Sequence, residues 1–219
     1  MAFRKLIAAA NEPRDAAALA AFRVLFGIVL CGAMIRYLTT GWASRFYVER
    51  SFHFTYWGFE WVRPLPAEAM IATFVVLAIA AACIAAGLFY RVATVVFFVG
   101  FTYVHLLDVS NYLNHYYLVS ILAGVACILP LHRAWSLDAL LRPAIRVTAF
   151  PAWMTWLLRA QVGLVYFFAG LAKLGTDWLL YGQPLGIWLA ARTDLPVIGP
   201  FLDEHWVALA MSWAGFLYD

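Results

Sequence analysis

The chain has 219 residues, 65% of them hydrophobic and only 12% charged, with a formal net charge of +3 and a mean hydropathy of +0.82. Soluble domains carry about a quarter charged residues, so this composition excludes an ordinary soluble domain and marks a polytopic membrane protein. The basic residues are scattered at the ends of apolar segments and form no patch, which fits loops beside a membrane and gives nucleic acid no footprint.

The N-terminus, "MAFRKLIAAANEPRD", lacks a charged stretch running directly into an apolar core and a small-residue cleavage site. It reads as a short interfacial helix and not as a cleaved signal. A span needs about 20 mainly apolar residues, and five stretches meet that rule: 19–39, 69–90, 92–108, 112–130 and 152–174. A sixth begins at "WVALAMSWAGFLYD" and reaches the end of the chain before a full span is complete. Between the fourth and fifth lies "WSLDALLRPAIR", an amphipathic stretch that places a Trp and several Arg at headgroup depth. The long connections 40–68 and 175–204 are rich in Trp, Tyr, Pro and Gly and read as loops with aromatic anchors. No internal repeat supports a repeat-built transporter. The expected fold is therefore all-α: a polytopic transmembrane helical bundle of five full spans plus a partial sixth, with interfacial helices. It forms one domain over residues 1–219, read as the N-terminal part of a longer chain.

Lys and Arg in short loops set orientation. An inward N-terminus puts Arg4, Lys5, Arg14, Arg91, Arg133, Arg142 and Arg146 on the cytoplasmic side, against Arg45, Arg50, Arg63 and Arg192 outside. The stretch 105–117, Lys173 with "GTDWLLYGQPL", and the loop 46–66 then all belong to the outer face.

Lys173 lies where an apolar helix should still be in hydrocarbon, and a cation there needs a partner, a wet cavity or a reason to be neutral. Snorkelling to the headgroups is one reading. Gly163, Tyr166, Gly170 and Lys173 follow helical spacing, however, and a face with two glycines invites close packing by another helix. His115 and Asn114 project from the start of the fourth span, with Ser110 or Asn111 as candidate caps. His105 and Asp108, three apart, could pair on one face. His53 lies among aromatic rings that read as a membrane belt more readily than as a cofactor box. No histidine spacing suits a metal, and the site is expected to hold none. Cys31, Cys83 and Cys127 fall inside apolar runs and read as small core residues, with no nucleophile motif present.

The stretches "RSFHFTYWGFEWVRPLP", "DVSNYLNHYYLVSILAGVACILP", "WSLDALLRP" and "VYFFAGLAKLGTDWLLYGQPL", in that order, resemble the bacterial HTTM family. That family is related to the vitamin K-dependent gamma-glutamyl carboxylase, and the resemblance covers its membrane-helix part. It implies a site for reduced vitamin K or another reduced quinone, with O2 and CO2 as co-substrates, a possible peptide or protein substrate, and the bilayer as surroundings. It implies Lys173 as the base that deprotonates the quinone hydroxyl and His115 as its helper, the two converging, with Asn114 beside them. His53, Tyr166 and Trp178 are the expected quinone-lining residues. The implied route has the anion react with dioxygen to give an alkoxide strong enough to remove a proton from a glutamate γ-carbon, whose carbanion attacks carbon dioxide. Low-dielectric burial is the general means of keeping such an amine neutral, and preorganised hydrogen bonds stabilise a developing oxyanion. The implied location is the inner membrane of a bacterium, with the N-terminus cytoplasmic and the site facing the outer side. A different class of function stands beside this one: a non-catalytic membrane module that binds a quinone or lipid or anchors a partner, with Lys173 snorkelling.

Overall fold

A computed structural model describes residues 1–218. Its helices, in chain order, are α1 Ala2–Ala10, α2 Ala17–Thr39, α3 Trp42–Tyr47, α4 Ala67–Ala86, α5 Tyr90–Leu106, α6 Asn114–Ile128, α7 Leu137–Leu141, α8 Ala152–Ala172, α9 Thr176–Leu179, α10 Leu185–Ala190 and α11 His205–Tyr218. Two three-residue strands, β1 Pro13–Asp15 and β2 Ala149–Pro151, pair antiparallel with Pro13 opposite Pro151. The architecture is all-α, as expected.

Helices α2, α4 and α8 are long and apolar enough to cross a membrane, whereas α5 and α6 are apolar but have 17 and 15 residues. Fifteen residues rise about 22 Å, short of the roughly 30 Å hydrocarbon core. The fourth expected span, 112–130, thus begins two residues late. Asp108 accepts from the Ser110 N–H and caps a 3-10 turn over Val109–Asn111, after which Tyr112 and Leu113 are extended. The helix can restart only at Asn114.

The chain divides into two compact units, residues 1–155 and 156–219. In the first, α2 packs on α4, α4 on α5 and α5 on α6, burying Met34, Phe74, Leu77, Ile84, Phe97 and Phe101. The short connections after α4 and α5 make those sequential helices antiparallel neighbours, whereas α2 and α4 are joined through the long segment 40–66. The α2–α4 crossing is close because Gly27 has no side chain: a Cβ there would lie 2.7 Å from the Ala85 Cα. Helix α4 ends at Gly87, φ 65, with the Leu88 N–H on the Cys83 carbonyl and the Gly87 N–H on that of Ile84. This paired pattern is the usual way a left-handed glycine stops a helix.

At the same end of the bundle Arg23 is buried, 1% exposed. Its guanidinium donates to the carbonyls of Ile84 (2.7 Å), Ala85 and Trp135. Asp138 of α7 accepts from the Phe89 and Tyr90 N–H groups at 3.0 Å and so caps the start of α5. The N–H of Asp138 in turn reaches the Gly87 carbonyl. Strand pairing and the bond from the Ala16 N–H to the Thr148 carbonyl tie the segment after α1 to the segment before α8.

Candidate functional site

The first unit brings loop 46–66 onto the stretch 105–117. Asp108 is 2% exposed. One carboxylate oxygen accepts from the Phe54 and Ser110 N–H groups, and the other pairs with Arg50 at 3.2 Å. Burial alone would push this carboxyl up, but hydrogen bonds from the Ser110 side chain and backbone and from the Phe54 N–H outweigh it, with help from His53. The result lies below the ordinary carboxylate range. Arg50 also reaches the Ser110 hydroxyl, and the Val109 N–H donates to the Phe54 carbonyl.

The expected His105–Asp108 pair is not formed. Asp108 has left the α5 helix with φ −152 and turns to the loop. His105 instead lies between the rings of Tyr56 and Tyr112, with centroids 5.8 and 5.6 Å away. Asn111 does not cap α6 either: Leu113 occupies that position, and Asn111 Oδ1 faces Arg50 at 3.5 Å. Among the described residues, Asn111 Nδ2 and the Tyr56 hydroxyl are buried without a hydrogen-bond partner.

His115 is the second residue of α6, in its opening turn, and both it and Asn114 are exposed. The His115 ring meets that of Tyr116 at 4.5 Å, and the Tyr116 hydroxyl joins that of Tyr37 at 2.8 Å. His53 Nε2 donates to the Phe46 carbonyl at 3.2 Å, which fixes its ring under the loop. Loop and helix starts thus share one aromatic end.

In the second unit Lys173 follows directly on α8 and is half-buried. Its Nζ donates to the Gly215 carbonyl of α11 at 3.3 Å and lies 5.2 Å from the centre of the Trp178 ring. Trp178 of α9 is itself pinned, its indole N–H donating to the Ser212 carbonyl at 2.7 Å. Gly215 leaves room for the indole edge, since a Cβ there would sit 3.6 Å from it. Two turns earlier on α8, the Tyr166 ring meets that of Tyr218 at 5.8 Å. Tyr166 and Lys173 therefore both meet α11, as the shared-face spacing predicted, although Gly163 on that face looks onto open space. Ser212 is fully buried with an unpartnered hydroxyl among the described residues.

No His, Cys, Asp or Glu cluster able to hold a metal occurs among the described residues. The model for the HTTM domain matches residues 11–219. The chain belongs to the HTTM family. HTTM domains form the membrane part of vitamin K-dependent carboxylase, so this HTTM chain is an integral membrane protein of the carboxylase-related family. No solved structure matches it.

Two groups of HTTM residues escaped the sequence reading: Arg23 with its three carbonyls, and Arg50 with Asp108. Arg23 could have been found by the rule that singled out Lys173, since it too is a cation within an apolar run. The Arg50–Asp108 pair joins positions 58 apart, for which one sequence holds no signal.

Proposed function

We propose that this HTTM protein is a membrane enzyme that couples oxygenation of a reduced quinone, vitamin K hydroquinone or another, to carboxylation of a glutamyl side chain or a related substrate. Five segments span the membrane under this reading, α2, α4 and α8 by themselves and the shorter α5 and α6 together with their flanking residues, with α11 as a partial sixth. The N-terminus is cytoplasmic, the membrane is a bacterial inner membrane, and the site faces outward.

The observation that carries the proposal is the setting of Lys173. A single amine sits half-buried beside an indole face, with two tyrosines and a buried serine hydroxyl on the same helices. Aromatic faces stack on a flat ring and an amine meets a ring hydroxyl, so the donor set suits a hydroquinone. Trp178 and Tyr166 would hold the ring.

When bound, the reduced quinone with dioxygen supplies the base strength needed to remove a carbon-bound proton, which no amine has. Lys173 Nζ accepts the proton of the ring hydroxyl. His115 and Asn114, in the first unit, are the candidate helper residues that the family resemblance implies. Stabilising charge where it develops, in a dry site, is the largest contribution such residues make.

A second reading, a non-catalytic module that binds a quinone or lipid or anchors a partner, is favoured by one observation. The Lys173 ammonium already ties the end of α8 to α11 through the Gly215 carbonyl and Trp178. The deciding experiment incubates the purified protein in lipid with reduced naphthoquinones under oxygen and assays the epoxide. Epoxide from the native chain and none from folded Lys173→Ala supports the enzyme. No epoxide from any of several quinones overturns it in favour of the module.

A further inference from the structure

At the end of α4 opposite to loop 46–66, a groove of about 570 Å3 runs between the last turn of α4 and the segment 135–146. Ala85, Ala86, Leu137 and Leu140 wall it, Trp135 stands over it, and Arg146 closes one side. We propose that this groove is a binding site for an anionic phospholipid, with acyl chain against the apolar walls and phosphate on Arg146.

Four observations carry this. First, the groove lies where a membrane-spanning helix ends, which is headgroup depth, and its apolar rim is bared to the surroundings: Trp135 is 64% and Leu140 73% exposed. Second, its cations are unspent. Among the described residues neither Arg142 nor Arg146 has a side-chain hydrogen bond or ion pair. The Asp138 carboxylate of α7 is committed to the Phe89 and Tyr90 N–H groups.

Third, the C-terminal end of a helix is a poor place for an anion because its free carbonyls are negative. Here Arg23 donates to the carbonyls of Ile84 and Ala85, which offsets the negative end of that helix. Fourth, Trp135 adopts φ 49, a left-handed conformation rare for a bulky residue, and Arg23 holds it there through its carbonyl. The same buried cation thus prepares the charge and poses the indole. An amphipathic surface with one phosphate-seeking guanidinium matches a lipid better than a soluble anion, for which the walls offer nothing.

The test is native mass spectrometry of the full chain from micelles holding equal phosphatidylglycerol and phosphatidylcholine. Native protein should retain phosphatidylglycerol at least fivefold over phosphatidylcholine, Arg146→Gln should lose most of that preference, and Arg4→Gln should keep it. Arg146 is exposed, so its variant folds, as an unchanged melting temperature would verify. Equal retention of both lipids, an unaltered preference in Arg146→Gln, an equal loss in Arg4→Gln, or displacement of the lipid by inorganic phosphate would each overturn the proposal.

Discussion

Arg50 and Asp108 form an ion pair at 3.2 Å that fastens loop 46–66 to the turn between α5 and α6. The carboxylate is almost fully buried while the guanidinium is partly in solvent, so the pair matters chiefly because Asp108 also accepts from the Phe54 and Ser110 N–H groups. Asp108→Asn keeps one acceptor and loses the charge, and should cost about 1–2 kcal/mol. Thermal unfolding in detergent, with proteolytic cleavage within the loop as a second readout, checks both the loss and its location.

The same residue gives the protein an acid sensitivity. Its folded pKa is lowered, so the stabilisation is fully present above the ordinary carboxylate value of about 4 and is lost as pH falls through the depressed folded value. Melting temperature should therefore decline below pH 4 in the native chain and decline less in Asp108→Asn. Parallel pH profiles for the two proteins would contradict the assignment.

Arg23 should be the most sensitive position of the first unit. Arg23→Ala strands three carbonyls at the α4 end and leaves a void, with an expected cost of about 3 kcal/mol or more. Arg23→Lys keeps the charge but cannot fork between Ala85 and Trp135, so it should recover only part of the loss. Full recovery by lysine, seen as an unchanged melting temperature, would show that charge alone suffices.

Two glycines are held by different constraints and should respond differently. Gly27→Ala drives a Cβ into the Ala85 backbone and must separate α2 from α4, at about 1–3 kcal/mol. Gly87→Ala meets a left-handed φ of 65, the Ser136 Cβ and the Arg23 guanidinium 2.9 Å away, so it should exceed the roughly 1–2 kcal/mol of left-handed backbone alone. Gly32→Ala, where open space surrounds the position, is the control and should change stability little.

Lys173→Gln separates base from tie. The amide can still donate to the Gly215 carbonyl but cannot take a proton, so epoxide formation should fall at least 100-fold while the melting temperature stays within a few degrees. Trp178→Phe keeps a ring beside Lys173 and removes the donor to Ser212, for a stability loss of about 1 kcal/mol. Gln retaining activity would assign Lys173 to structure.

The long apolar helices were legible because hydrocarbon imposes length and composition directly on the sequence: α2, α4 and α8 begin within two residues of their expected starts. The start of α6 was misplaced because Asp108 spends its carboxylate on a tight turn and on the loop, a choice made by Phe54 and Arg50 far away in the chain. The shared approach of Tyr166 and Lys173 to α11 followed from helical spacing, whereas the contacts of Lys173 with the Gly215 carbonyl and the Trp178 indole carry no sequence pattern. The β1–β2 ribbon was unreadable for a simpler reason: three residues, one of them proline, show no alternation.

That ribbon sets an order of assembly. Pro13 leaves the ribosome 138 positions before its partner Pro151, a gap of roughly 7–28 s at synthesis rates of about 5–20 residues per second. During that interval four of the apolar helices have emerged while the N-terminal amphipathic helix remains untethered. The two ends of the first unit are joined only when residues 149–151 arrive, so the ribbon works as a late clasp on a bundle whose helices were inserted before it could close.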